Sequence, residues 1–530
     1  MKLIFTFTKI QYMRSIFILL LTGIIVSLSS CRKDFEFETS NGGLQFSRDT
    51  VYLDTVFTNI GSSTYTLKVY NRSDKDIKIP VIKLGKGTDS KYRMTVDGMT
   101  GNSGAQGKIF SNVELLGKDS LYIFIETTAG IADANPEDFL YTDQIQFGAG
   151  TNLQTVELVT LIQDAIFLYP QRFEDGTTET LQLGEDEVYG FFLDENDPVH
   201  GNEYLFTNEK PYVIYGYAAV DVGKTLNIQP GARIHFHDAS GIIVAEGGSI
   251  QAIGDFSTDQ ETLENEIIFE GDRLEPGFSD VPGQWGAIWL TSGSAASTFN
   301  HVTIKNGVIG LYVQNNAGML TLKNTQIYDC SNYGVLAQTA TIEGENVVIN
   351  AAGQATLACT LGGSYKFTHC TFNNNWASSQ QVAVRVDNYF NTPENDNEEV
   401  PFPLTKAEFY NCIIFGSNQV ELLIKRSDAA LWTTPIFSRC MIKFNNTNNQ
   451  FTNLADYQFL NNTTEIRKNG NPDFFNINNN QLMIGDDSDA QDFGILTDVT
   501  TDILNTPRVP GPTGKYDLGA YQHGTFPEED

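Results

Sequence analysis

The sequence predicts an all-β chain in two parts, an immunoglobulin-like β-sandwich followed by a parallel β-helix. Three observations carry this prediction. A short phrase returns six times between Phe299 and Ile442: FNHVTI, LKNTQI, GENVVI, FTHCTF, FYNCII and FSRCMI. After each of the first five copies comes a second short β-type run, GVIGLYV, YGVLA, QATLA, QVAVRV and QVELLI. Upstream, seven alternating strand candidates fall between Leu44 and Ala165.

The central positions of the phrase are Val302, Thr325, Val347, Cys370, Cys412 and Cys440, spaced by 23, 22, 23, 42 and 28 residues. A period of about 22 residues, built from short strands with Asn and Gly turns and no helical periodicity, is that of a β-solenoid. Five copies set an apolar residue five positions before another; the Gly344 copy lacks the first. The long interval before Cys412 holds DNYFNTPENDNEEVPFP, expected as a polar loop thrown out of the stack. A strand spacing near 4.8 Å makes Cys370, Cys412 and Cys440 a ladder facing the core. Buried free cysteine packs as a small apolar residue, so reduced thiols are expected, with no zinc-type spacing.

The expected order is a leader over 1–30, a tether over 31–43, the sandwich over 44–165, a linker and N-terminal cap over 166–208, and the β-helix over 209–525. Lys9 and Arg14 precede an apolar run, Ile16 to Leu28, too short for an ordinary span. The LSSC that follows resembles a bacterial lipobox, which implies Cys31 as an acylated mature N-terminus and a membrane as partner through the lipid. Seven short strands in about 120 residues are the pattern of an immunoglobulin-like sandwich. The solenoid is expected to open with KPYVIYGY and IQPGARIHFH, and its exposed end needs a cap. With 34 basic against 65 acidic residues, the chain lacks the cationic footprint that nucleic acid requires.

Several phrases together resemble one family. DTVYLDTVFTNIGSSTYTLKVYN, KPYVIYGY, IQPGARIHFH, EGDRLEPGFSDVPGQW and the terminal DLGAYQ are similar to those of Bacteroidota lipoproteins. These join a Hydin-like immunoglobulin module to a right-handed parallel β-helix. The resemblance covers nearly the whole mature chain. It implies outer-membrane, surface-exposed anchoring and no established activity.

No motif names a reaction. His301 and His369 occupy equivalent places in the phrase, but Asn324 and Asn411 stand there in other copies, which reads as a turn position. Arg233, His235 and His237 alternate along one strand as an outward polar row, with two histidines at metal-chelating spacing but no third ligand. Asp272, Arg273, Glu275, Trp285 and Trp289 lie in a long excursion between coils, where indole stacking and polar hydrogen bonding could hold a sugar. The bland alternative is that both tryptophans seal the solenoid. Trp376, Arg385 and Tyr389 form a second candidate beside the DNYFNTPENDNEE segment. The leading expectation is a non-catalytic glycan-binding or adhesive surface protein with no cofactor. The alternative is a polysaccharide lyase or other carbohydrate-active enzyme, with calcium to neutralise a uronate.

Overall fold

A computed structural model describes residues 36–184, 186–392 and 395–526; the leader and Cys31 lie outside the described residues. The chain divides into two compact units, one ending at Gln163 and the other starting at Asp164. No helix among the described residues is long and apolar enough to cross a membrane.

The first unit consists of two sheets around one core. One sheet runs Glu38–Thr39, Ile77–Leu84, Leu140–Phe147, Gln154–Gln163 and Thr50–Phe57, with Ile109–Leu115 paired to Ile77–Leu84. The other runs Gln45–Phe46, Tyr65–Tyr70, Ser120–Thr127 and Tyr92–Val96. Alternate residues turn inward, so Val51, Leu53, Leu67, Val69, Ile123 and Ile125 meet in the common core. Ile109–Leu115 is a strand that sequence patterning missed. Asn112 takes a left-handed φ of 55° there and leaves two consecutive residues exposed, which breaks the alternation.

The second unit is a three-faced parallel solenoid. In a typical coil Leu320–Cys330 bends at Asn324 and supplies two faces; Tyr333–Gln338 supplies the third. The first two faces join into an 18-stranded sheet and the third faces form a 10-stranded one. Register aligns the repeated phrase as expected: Ile267 stands over Val302, Val302 over Thr325, and Cys440 over Ile466. The pairs Thr371–Ile413 and Ile413–Met441 place Cys370, Cys412 and Cys440 on that same row. All three are fully buried and free, as are Cys330 and Cys359. Ile304, Ile327, Ile349, Phe372, Ile414 and Ile442 form a second inward row, each 0% exposed.

The bend between the first two faces explains the His and Asn alternation. His301, Asn324, Asn346, His369, Asn411 and Arg439 all have φ between 44° and 54°. Among residues with a side chain Asn tolerates the left-handed region best, and its amide can bond to the coil above. Asn324 lies 3.2 Å from the His301 ring, Asn346 donates to Asn324 Oδ1 at 3.0 Å, and Asn411 lies 2.9 Å from the His369 ring. These histidines are stacked turn residues.

Gly344 breaks the apolar pattern for a packing reason. A Cβ built there would lie 2.5 Å from the Phe367 ring, which fills the place of the missing side chain. Overpacking a close-packed core costs about 1–3 kcal/mol. Gly344→Ala is therefore expected to lower stability by that amount, read from chemical denaturation; an unchanged midpoint would show that Phe367 can move aside.

The two ends of the apolar stack are built differently. The antiparallel hairpin of Thr180–Leu183 and Asp186–Phe192 opens the 10-stranded sheet. The parallel ladder starts within the expected linker, where Ile166–Leu168 pairs with Tyr212–Ile214, upstream of the expected start at 209. That run of three apolar residues was too short to register as a strand. At the far end the 3-10 helix Ala455–Asn461 buries Tyr457 and Leu460, and Phe459 stacks on Phe437 at 4.9 Å. The C-terminal segment then returns along the outside of the second face. Leu482, Ile484, Phe493, Ile503 and Leu518 pack on Tyr328, Val348, Ile413 and Met441.

Glu421, 0% exposed, braces the turn after Gly416. Its carboxylate accepts the Asn418 N–H at 2.6 Å and the Ala383 N–H at 2.8 Å. Burial pushes its pKa up to about 7, against 4.5 ordinarily. The folded state thus holds this proton more tightly than the unfolded state, and the associated stability is lost as pH rises from 4.5 through 7. Relative to Glu421→Gln, the native protein is expected to lose about 3 kcal/mol across that window. Parallel pH–stability curves for the two proteins would refute the assignment.

Candidate functional site

A groove lies on the outer side of the third face. Strands in this sheet turn alternate residues away from the core, so vertical neighbours make outward rows. One row reads Ile243, Trp289, Tyr312, Leu336, Ala358, Arg385 and Leu423. The adjacent row contains Gln314 over Gln338 over Thr360, and Asp387 over Lys425. Over its last four strands the face turns into a groove of about 530 Å3, lined by Tyr333, Gln338, Thr360, Arg385, Asp387, Lys425 and others.

One wall of this groove is the segment expected as an irregular loop. It is an antiparallel hairpin, Tyr389–Thr392 with Asn395–Pro401, and it brings Tyr389, Phe390 and Asn391 to the groove. The run of Asn, Asp and Glu in NDNEEVP was too polar to read as strand.

Chemically the groove combines aromatic rings, amides and an ion pair. Arg385 Nε donates to Asp387 Oδ2 at 2.6 Å, and Asp387 Oδ1 accepts the Leu361 N–H at 3.1 Å. The Asp387 side chain is 1% exposed, that of Arg385 34%. Burial raises the Asp387 pKa, opposed by the guanidinium beside it. Burial likewise raises the Tyr333 phenol. Up the face, Trp289 stacks on Tyr312 at 5.2 Å and donates to Gln314 at 2.8 Å, while Tyr312 donates to Gln338 at 2.8 Å. The result is a continuous aromatic and amide strip leading into a groove with two cations and one carboxylate.

The structure separates the residues that the sequence had grouped. Trp285 is corrected to a core residue. It is 0% exposed, stacks on Phe236 at 4.4 Å and donates to the Lys305 carbonyl at 2.8 Å. Asp272 is bonded to His237 at 2.8 Å, and Arg273 pairs with Glu275 at 3.2 Å while covering the Phe278 ring at 3.9 Å. These three residues hold the excursion in shape and do not converge with Trp289. Arg385 and Tyr389 do share the groove; the half-buried Trp376 is not among its lining residues. In the polar row, Arg233 donates to the Glu266 and Leu263 carbonyls at 2.6 and 2.8 Å, and His235 lies 3.6 Å from Glu270. Sequence reading overlooked Asp197, His200 and Glu203, whose ligand atoms lie within 4.8 Å of one another on one loop.

Residues 231–397 match the family model described as the right-handed beta helix region. The solenoid is a right-handed β-helix. No curated protein matches the chain. Among solved structures, the periplasmic chaperone SfaE is 17% identical with a TM-score of 0.15, over 23% of this chain and 58% of its own. The E. coli chaperone DraB is 17% identical with a TM-score of 0.16, over 24% and 57%. The chain thus spans a little over half the length of these two. The catalytic unit of a GH87 alpha-1,3-glucanase from Streptomyces thermodiastaticus is 10% identical with a TM-score of 0.22, over 71% and 81%. Scores this low carry no argument about function.

Proposed function

We propose that this chain is a lipid-anchored outer-membrane protein, displayed at the cell surface, that binds an acidic polysaccharide along the third face of its β-helix without cleaving it. In this reading Cys31 carries the lipid and the sandwich is a spacer; the apolar leader ending in LSSC supports the anchor. The observation that carries the binding role is the groove, where aromatic and amide groups adjoin Arg385 and Lys425. Aromatic faces stack on sugar rings, amides meet hydroxyls, and the cations match a uronate or sulfate.

Hydrolysis by paired acids needs two carboxylates roughly 5–10 Å apart. Among the described residues lining the groove, Asp387 is the single carboxylate, and both its oxygens are engaged. For the same reason the groove does not fit calcium, which takes 6–8 oxygen ligands. The test is retention on a panel of acidic glycans, followed by absorbance at 232 nm with and without calcium. Retention with no unsaturated product is expected. Product formation would replace this reading with a lyase, and absence of retention would end it.

A further inference from the structure

A second cleft opens on the opposite chemistry. It lies outside the second face, between the solenoid, the loop 259–266 and the returning C-terminal segment, with a volume of about 380 Å3. That size falls within the range of roughly 300–1,000 Å3 of small-molecule sites. Its floor is a relay: Glu266 accepts from Thr303 at 3.2 Å, Gln326 donates to Thr303 at 3.4 Å, and Tyr328 donates to Gln326. Tyr521 reaches the same Gln326 oxygen from the C-terminal segment at 3.5 Å.

Glu261, Glu266, Asp280 and Asp329 contribute four carboxylates to the lining, against a single cation, Lys305. Lys305 is already neutralised by Glu270 at 2.8 Å. Asp329 is only 9% exposed; Asn480 donates to its Oδ2 at 2.8 Å, while Oδ1 accepts no hydrogen bond from a described residue. Burial pushes its pKa up to about 6. A largely buried carboxylate that turns an unused oxygen to a cavity wall favours a charged donor there. Three or more of these carboxylates do not converge within metal-ligating distance, since only the Asp197 cluster does so among the described residues. The donors this cleft suits are therefore spread out, as on a sugar, rather than concentrated in one ion.

We infer that this cleft binds a saccharide carrying a free ammonium group, its amine beside Asp329 and its hydroxyls on the Gln326, Tyr521 and Asn480 groups. The site is independent of the third-face groove and selects the opposite charge.

The experiment is calorimetric titration of the full mature chain with β-1,4-linked glucosamine oligomers of two to four units, and with their N-acetylated counterparts, at pH 6. Binding of the free amines alone is expected, weakened at least tenfold by Asp329→Asn and severalfold by Asp280→Asn. Asp280 is exposed, so its variant keeps the fold should the buried substitution fail. Lys425→Ala, in the other groove, should leave this binding unchanged. No binding of the free amines, equal binding of the acetylated forms, or indifference to Asp280→Asn would each overturn the inference.

Discussion

Lys425→Ala and Tyr389→Ala together are expected to weaken retention of acidic glycan about a hundredfold while leaving the fold intact. Lys425 is exposed and has no ion pair among the described residues, so its removal strands no buried charge. Tyr389 is half-buried at the start of the hairpin wall. A lost cation and a lost stacking ring are each worth about 1–2 kcal/mol in a partly desolvated site, which is roughly tenfold apiece. Arg385→Ala should lower affinity as well, but it also strips Asp387 of its partner. That buried carboxylate is then left unpaired, and a cost of about 1–2 kcal/mol in stability is expected, discounted because the guanidinium is one-third exposed. Restoring stability with Asp387→Asn, without restoring binding, would separate the two roles. Full retention in the Lys425 and Tyr389 double variant would move the binding surface elsewhere.

Trp285→Ala should be the most damaging single change in the solenoid, at about 3–5 kcal/mol. The ring is wholly buried between Phe236 and the coil containing Gly307, whose added Cβ would lie 3.3 Å from it. Its loss leaves a cavity and an unbonded Lys305 carbonyl. Thermal and chemical unfolding should show the drop, while glycan retention under native conditions persists. Loss of retention at full stability would return Trp285 to the binding surface.

Why Trp285 and Trp289 part company shows where sequence reading stops. Four residues apart on a regular strand, they would point the same way. The ladder to Gly307–Gln314 shifts register between Ala287 and Ile288, so Trp285, Ile288 and Leu290 turn inward and Trp289 outward. One irregular residue reverses the face of everything after it, and no pattern of apolar residues announces it. The stacked rows from Val302 to Cys440 were legible because each coil repeats the same demand at the same place: an apolar residue inside, and Asn or a substitute at the left-handed bend. The cleft beneath the C-terminal segment was not. Glu266, Asp329, Asn480 and Tyr521 come from four separate stretches, and nothing repeats among them. The third-face groove was half legible, through Arg385 and Tyr389, because its wall is continuous in sequence with its floor.

The returning C-terminal segment changes how this molecule should come apart. A plain stack of coils has only neighbour-to-neighbour coupling and can unzip from either extremity. Here Asn346 bonds to Thr501, Asn350 to Ile477, Thr371 to Ala520 and Asn411 to Ile495, so one strap is tied to successive coils. Those coils cannot fray one at a time without shedding the strap from all of them. Under mechanical load the strapped region should therefore yield in a single large step rather than as a staircase of small ones.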